Sequence, residues 1–208
     1  LMTLLPPSTA FFKLDIDDLE IRKQGQEALQ SEIDKGLRTI ENALMSEIEI
    51  SNDRVAMFEA LKHLVVSGNV LLYLTDKGLK VYPLSKFVCK RDEVGNVLEI
   101  LIKETVHPQA LPLEFLELIK KKENYDADMM KGDLDIYTSI KRMNDDFFWF
   151  QECKGEKIPN TDGRSKIDVT PFIPLRFIRV DGEDYGRGYV EEYRGDLISL
   201  ESLMQAII

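Results

Sequence analysis

Cysteine and histidine are scarce in this chain of 208 residues. The two cysteines are Cys89 and Cys153, and the two histidines are His63 and His107. The cysteines lie far apart in sequence and form no CxxC motif, which argues against a disulfide framework or a zinc site and fits a reducing compartment. So few thiol and imidazole groups leave little material for a metal centre or a histidine-based triad, and we predict no metal and no cofactor.

Several motifs of known chemistry are also missing. No GxxxxGK[ST] sequence occurs, which excludes ATP hydrolysis through a P-loop, and no GxSxG motif marks a nucleophile. No apolar run approaches the ~18–20 residues needed to span a bilayer. The opening LMTLLPP has neither the basic region nor the cleavage site of a signal peptide. The sequence therefore predicts neither an enzyme nor a membrane protein.

Basic residues are also fewer than acidic residues. The chain has 27 Lys and Arg against 37 Asp and Glu, a net charge of −10. Residues 181–208 contain seven acids and two arginines, which places half of the excess in one short segment. A surface of this kind repels phosphate and disfavours simple affinity for DNA. A solvated acidic helix face would account for the same charges.

What is present is the patterning of a folded α+β protein. Apolar residues recur every three or four positions in two early segments, which predicts helices over residues 18–49 and 52–66. Alternating segments separated by turn residues then predict antiparallel hairpins, with a small helix over 113–122 between them. The predicted strands cover 11–17, 70–74, 79–84, 86–92, 96–106, 134–143, 147–153 and 171–180, and polar loops cover 123–132 and 154–168. Helices, then hairpins, then a last helix indicate α+β architecture without βαβ units.

The run 171–180 contains two prolines that restrict its place in a sheet. Pro171 and Pro174 cannot donate to a ladder, so we expect the run to begin at a sheet edge before it becomes a regular strand.

Gly186-Arg187-Gly188 has some features of a dinucleotide-binding turn, because it follows a predicted strand and opens a helix. The third glycine of that fingerprint is missing, since Glu191 or Glu192 stands in its place. Acidic side chains already crowd the helix N-terminus where a pyrophosphate would bind. The motif therefore does not support a nucleotide site.

Paired aspartates are the remaining candidates for catalysis. Asp15/Asp17/Asp18, Asp133/Asp135 and Asp145/Asp146 could hold Mg²⁺ for phosphodiester chemistry. The pairs fall at predicted helix starts and hairpin tips, where Asp is common for capping and turn formation. A metal-dependent nuclease that uses Asp133 and Asp135 stays open as an alternative.

The last segment predicts a long amphipathic helix that reaches the final residue without a capping signal. Its apolar positions are spaced three and four apart, as in the a and d positions of a heptad. This seam consists of Val190, Tyr193, Leu197, Leu200, Met204 and Ile207. Acidic residues that we expect to face water or a neighbour are Glu191, Glu192, Asp196 and Glu201. A heptad seam with an acidic outer face is typical of a ring or bundle of helices around a water-filled space.

Four segments in register resemble one protein family. They are FEALKHLVVSGNVLLYL (58–74), KRDEVGNVLEI (90–100), TPFIPLRFIRVDGEDYGR (170–187) and GEDYGRGYVEEYRGDLISLESLMQAI (182–207). In order and spacing they are similar to portal proteins, the head-to-tail connectors of short-tailed double-stranded DNA bacteriophages. Each segment alone is unremarkable, whereas the set covers nearly the whole chain.

The resemblance implies a structural channel protein and a division of the chain. Residues 1–180 would form a wing domain, and residues 181–208 would begin the stem helix. Such proteins form a homo-oligomeric ring, typically a dodecamer, at one vertex of the capsid in the virion. Implied partners are the major capsid and scaffolding proteins, a tail adaptor protein and the terminase, with double-stranded DNA passing through without sequence-specific binding. The ring would serve genome packaging, tail attachment and genome ejection.

We also expect the chain to be a fragment. It begins at Leu1 and ends within a predicted helix, and in the family the clip, tunnel loop and crown lie downstream. Synthesis in the bacterial host cytoplasm follows from the same resemblance. Besides the nuclease, a monomeric adaptor that uses its helix to bind one partner stays open as an alternative.

Overall fold

The α+β prediction is confirmed by the fold. The computed structural model describes residues 12–15, 27–51, 53–122 and 132–207. Within the described residues the first helices are α1 (Glu27–Ile50) and α2 (Asp53–Ser67), where amphipathic periodicity predicts them. The predicted start of the first helix at residue 18 lies outside the described residues. The predicted strand 11–17 is wrong where it can be checked, since residues 12–15 form neither helix nor strand.

Three strands form a small sheet beneath α2. They are β1 (Asn69–Thr75), β2 (Gly78–Pro83) and β9 (Phe172–Arg176). The order is β2-β1-β9, and both pairings are antiparallel. Among the described residues β9 pairs with β1 on one side and with no strand on the other, so it is an edge strand. Pro174 within the strand and Pro171 just before it predict this position.

The remaining strands form a six-stranded antiparallel sheet, called the large sheet below. Its longer members are β3 (Phe87–Arg91), β4 (Val97–Val106), β5 (Leu134–Met143) and β6 (Asp146–Cys153), in that order. Two short strands, β7 (Glu156–Lys157) and β8 (Gly163–Lys166), both pair with β6. The predicted loop 154–168 is therefore partly wrong. Both strands lie on a water-facing part of the sheet and are therefore polar. For that reason the sequence of this segment gives no strand signal.

The two sheets pack face to face around the main core. Leu71, Tyr82 and Phe172 from the small sheet contact a set of large-sheet residues: Phe87, Cys89, Ile100, Ile102, Ile140 and Phe147. The other face of the small sheet packs on α2 through Val70, Leu72 and Ala60. The layers thus run from helix to small sheet to large sheet. A further helix, α3 (Leu113–Lys122), covers one end of the large sheet through Phe115, which is fully buried.

The chain leaves the small sheet earlier than the sequence predicts. The run 171–180 is a regular strand only up to Arg176, and afterwards only Ile178 pairs, with Arg187. The expectation that the second half would be the regular strand is wrong. The proline-containing half stays in the sheet because neither proline is required as a donor at an edge.

The terminal helix is two segments. The first is α4 (Tyr189–Glu192), and the second is α5 (Arg194–Ile207). Tyr193 separates them with φ −104° and ψ 20°. The backbone nevertheless continues as a helical path, since the Leu197 amide donates to the Tyr193 carbonyl at 3.0 Å. The helix predicted within 181–208 is therefore present, with a local break near its start.

Candidate functional site

The predicted seam is uncovered in the single chain. Every residue from 189 to 207 is exposed, and α5 projects from the body, whereas α4 lies beside α2. The seam residues expose the following fractions: Val190 49%, Tyr193 53%, Leu197 47%, Leu200 55%, Met204 56% and Ile207 85%. Monomeric proteins seldom leave a continuous apolar ridge of this length in water. The terminal helix is therefore the candidate functional site.

The predicted acidic residues lie on the same helix but do not form one face. Glu191, Glu192, Asp196 and Glu201 are all exposed. Glu201 stands four residues after Leu197 and three before Met204, so these three side chains share one side of α5. Glu191 lies 3.7 Å from Arg187, which also binds Glu183 at 2.9 Å. The acidic charge is thus distributed around the helix.

The glycines before the helix serve a close contact between two backbones. Gly188 lies against the turn that joins α2 to β1, and a Cβ there would be 2.3 Å from the Val66 carbonyl oxygen. Gly68, in that turn, has φ +76°, and its Cβ would be 2.3 Å from the Arg187 carbonyl carbon. Neither position tolerates a side chain. The glycines of Gly186-Arg187-Gly188 are therefore explained by packing, and no phosphate site is needed.

Asn69 fixes the same junction through its side chain. Its Nδ2 donates to the Gly186 carbonyl at 2.6 Å, and its Oδ1 accepts from the Gly186 amide at 2.7 Å. Asn69 is only 3% exposed, so both bonds are formed away from water. A side-chain amide thus pairs with a backbone segment 117 residues away as another strand would. We call Gly68, Asn69, Gly186 and Gly188 the junction.

A second set of bonds ties the segment before the junction to the edge of the large sheet. The Tyr185 hydroxyl accepts from the Cys89 amide at 3.0 Å, and an Asp184 carboxylate oxygen accepts from the Arg91 amide at 2.6 Å. The Arg91 side chain donates to the carbonyls of Asp184, Gly95 and Pro174 at 3.0–3.1 Å. Both sheets therefore hold the approach to the terminal helix.

Positive charge gathers at this edge. Arg176 donates to the Glu183 carbonyl at 2.9 Å, and Arg179 donates to the Val94 carbonyl. Partial burial, together with the neighbouring charges of Arg91 and Arg179, lowers the pKa of the Arg176 guanidinium. Burial raises the pKa of the Cys89 thiol. The three arginines thus donate to backbone carbonyls.

Aromatic rings continue the connection into the helix. The ring centroids of Phe177 and Tyr189 lie 5.1 Å apart in an edge-to-face arrangement, and those of Tyr189 and Tyr193 lie 5.6 Å apart. Such pairs contribute about 0.5–1.5 kcal/mol beyond simple burial. Tyr193 thus contacts α4 from the position at which the helix is interrupted.

The two described pairs, Asp133/Asp135 and Asp145/Asp146, do not assemble a metal site, and Asp17 and Asp18 of the third set lie outside the described residues. Asp135 binds Lys103 at 2.8 Å and accepts from Thr105 at 3.0 Å, and these contacts lower the pKa of its carboxyl. Asp146 binds Arg164 and Lys166, which lower its pKa in the same way. Across the described ranges, no three His, Cys, Asp or Glu side chains come together as metal ligands. The geometry therefore gives the nuclease alternative no support.

No described helix is both long enough and apolar enough to cross a lipid bilayer.

Sequence reasoning predicts the exposed apolar positions of the terminal helix, whose role as a subunit contact stays a prediction, and it misses the junction. Gly68-Asn69 reads only as a helix end, because an asparagine after a glycine is an ordinary turn signal. Its bond to Gly186 joins positions far apart in sequence, and no local pattern encodes such a pair. The one sequence signal for the junction is the pair of glycines at 186 and 188. Such a pair is as consistent with close approach of two backbones as with phosphate binding.

Comparison with known proteins gives one consistent result. A family model described as "Bacteriophage head to tail connecting protein" matches residues 1–208. The portal protein of Escherichia phage T7 is 38% identical over 220 residues, which cover 100% of this chain and 40% of the relative. The portal protein of Enterobacteria phage T3 is 37% identical over 216 residues, with coverage of 100% and 40%. That of Enterobacteria phage SP6 is 29% identical over 218 residues, with coverage of 98% and 40%. The chain thus spans about 40% of the length of these curated relatives.

Proposed function

Because the chain belongs to the family of bacteriophage head-to-tail connecting proteins, we propose that the complete protein is a portal. It forms a homo-oligomeric ring, with twelve copies as the expected number, at one vertex of the phage capsid. In this proposal residues 1–180 are the wing, and residues 181–208 enter the stem that surrounds the channel. The role is structural and requires no catalytic group.

The observation that carries the proposal is the uncovered ridge of α4 and α5. Covering the exposed half of one large apolar side chain contributes roughly 1 kcal/mol, so the six residues of the seam, with Tyr193 and Met204 among them, contribute on the order of 5 kcal/mol per helix. Adjacent copies of the same helix can supply that cover all around a ring. We therefore assign the subunit contact to Val190, Tyr193, Leu197, Leu200, Met204 and Ile207.

The acidic residues suit a passage through which DNA moves. Glu191, Glu192, Asp196 and Glu201 place negative charge on every side of the helix, so part of it faces the bore in any packing of the seam. Carboxylates repel phosphate and prevent tight binding of the duplex. We propose that double-stranded DNA passes without sequence-specific contact during packaging and ejection.

The further partners are those of a capsid vertex. We propose the major capsid and scaffolding proteins, a tail adaptor protein, and a terminase that supplies the ATP hydrolysis for which this chain has no P-loop motif. The protein would be synthesised in the bacterial cytoplasm and then reside in the virion.

Two experiments test this function. Negative-stain microscopy and light scattering of the full-length protein should show closed rings, whereas monomers at high concentration would overturn the proposal and favour the adaptor. Incubation with plasmid DNA and Mg²⁺ should leave the DNA intact. Cleavage that is abolished by Asp133→Ala, and not by Asp145→Ala, would establish the nuclease instead.

A further inference from the structure

A cleft of about 410 Å³ opens on the inner face of the large sheet, between the core beneath the small sheet and the core beneath α3. Glu104, Thr138 and Gln151 form its floor. Thr138 lies opposite Ile102 of β4 and opposite Gln151 of β6, so these side chains share the covered face of the sheet. Polar side chains are unusual on such a face unless they hydrogen-bond to one another or to a ligand. The floor is therefore a candidate binding site.

Aromatic rings form one wall of the cleft. The rings of Tyr73 and Phe172 are stacked with centroids 4.4 Å apart, and the ring of Trp149 meets that of Phe172 edge to face at 5.4 Å. Trp149 also lies directly on the backbone of Gly163, where a Cβ would be 2.1 Å from the indole. The rings are thus held in place by the fold itself, and they present faces and edges against which another ring packs well.

The floor contains a hydrogen-bond acceptor that the chain does not use. Gln151 Nε2 donates to the Thr138 hydroxyl at 3.2 Å, and the Gln151 backbone amide donates to the Thr161 hydroxyl at 3.1 Å. Within the described ranges, no group donates to Gln151 Oε1. A ligand in the cleft can therefore satisfy this oxygen with an N–H or O–H group.

The charged side chains of the cleft balance one another. Lys80 binds Glu104, and Lys157 binds Asp162. The turn between β1 and β2 adds one acid and one base at residues 76–77. Among the described side chains of the cleft, no charge is left over to hold a phosphate, a carboxylate or an ammonium group, which proteins bind through an opposite charge. The cleft therefore fits a neutral group.

We propose that the cleft binds a tyrosine or tryptophan side chain of another protein. The ring packs against Tyr73, Trp149 and Phe172, and its O–H or N–H group donates to Gln151 Oε1. Both residue types are common at protein interfaces, because each combines a large ring with one donor. A nucleobase would stack equally well, but the phosphates attached to it would gain no net positive charge here. The inference is independent of the proposed ring and adds a docking site to the two-sheet body.

Ligand-observed saturation-transfer NMR of the full-length protein tests the class of ligand. N-acetyl-tyrosinamide and N-acetyl-tryptophanamide should bind saturably. N-acetyl-phenylalaninamide, which lacks the side-chain donor, should bind roughly two- to tenfold more weakly, the effect of one hydrogen bond. Free tyrosine should bind no better than its blocked amide, because the cleft offers no unpaired charge to its amino and carboxylate groups.

Gln151→Met tests the acceptor. The variant keeps the length of the side chain and removes Oε1, so the tyrosine and phenylalanine amides should bind it with equal affinity. Glu152→Met is the matched control, because this neighbouring side chain points to the opposite face of β6, and it should retain the preference for tyrosine. An unchanged preference in Gln151→Met would overturn the proposal.

Three other outcomes would also overturn it. Absence of saturable binding by all the blocked amides would show that the cleft is only a gap between two cores. Tighter binding of free tyrosine than of its amide would assign the cleft to a charged small molecule, and tighter binding of adenosine would assign it to a nucleobase. Light scattering of the same preparations measures ring formation separately, so each of these results leaves the portal function intact.

Discussion

Asn69 and Gly186 are joined by a two-bond pairing in which one buried side-chain amide satisfies both the amide and the carbonyl of a distant residue. The pairing lies where the helix layer, the small sheet and the path to the terminal helix meet. The direction in which α4 leaves the body is therefore fixed by a contact between two segments that lie 117 residues apart in sequence.

Replacing Asn69 with Ala should destabilise the fold by about 2–4 kcal/mol. The substitution leaves the amide and carbonyl of Gly186 buried without their partners, and each such group costs about 1–3 kcal/mol. Denaturant unfolding followed by circular dichroism measures the change. Asn96→Ala is the control, because Asn96 is exposed and its side chain bonds to Asp92, four residues away in sequence. Equal losses in the two variants would contradict the role of Asn69.

Two glycines of the terminal segment should respond in opposite directions to alanine. A Cβ at Gly188 would be 2.3 Å from the Val66 carbonyl oxygen, so Gly188→Ala should destabilise the junction by several kcal/mol. A Cβ at Gly195 meets nothing within 4 Å inside α5, so Gly195→Ala should stabilise the helix by about 0.5–1 kcal/mol. Thermal unfolding of both variants distinguishes the two effects. An unchanged unfolding temperature for Gly188→Ala would contradict the close contact between Gly188 and Val66.

Replacing Leu197 with Asp should weaken ring formation without unfolding the subunit. The side chain is 47% exposed in the single chain, so the monomer tolerates the charge, whereas an unpaired charge buried between copies costs several kcal/mol. Light scattering across a concentration series measures assembly, with Ser199→Asp on the same helix as the control. Rings as stable as those of the unsubstituted protein would show that Leu197 is not in the interface.

The Asp146 carboxyl should contribute a pH-dependent part of the stability. Arg164 and Lys166 lower its pKa in the folded protein, whereas an unfolded Asp titrates near about 3.9. Its contribution is therefore present above that value and is lost as the pH falls through the lower folded pKa. Between about pH 5 and pH 2, Asp146→Asn should lose less stability than the unsubstituted chain. Arg164→Gln with Lys166→Gln removes the two partners and should reduce the same pH-dependent part while the Asp146 carboxyl stays in place.

Much of the fold could be predicted from local patterns. Strand β5 occupies 134–143 as expected, and the hairpin before it in the large sheet turns at Gly95, whose φ of +95° explains the glycine. The errors fall where tertiary contacts decide the structure. β7 and β8 form because β6 offers them an open edge, and the chain after Arg176 leaves its sheet because Gly68 and Arg187 provide other partners.

The candidate site was predictable only in part. Heptad spacing identifies the ridge because the helix repeats every 3.6 residues wherever it is placed. The i, i+4 spacing also places Glu201 on the same side as Leu197, which the expectation of an acidic outer face overlooked. The junction could not be predicted, since the bond from Asn69 to Gly186 depends on how three layers meet.

The bonds from Tyr185 and Asp184 to β3 have a consequence for chains that have not yet assembled. They occupy the outward-pointing amides of Cys89 and Arg91, which an unprotected border strand would offer to any passing chain. Copies present at high concentration are thereby protected from pairing edge to edge through this strand.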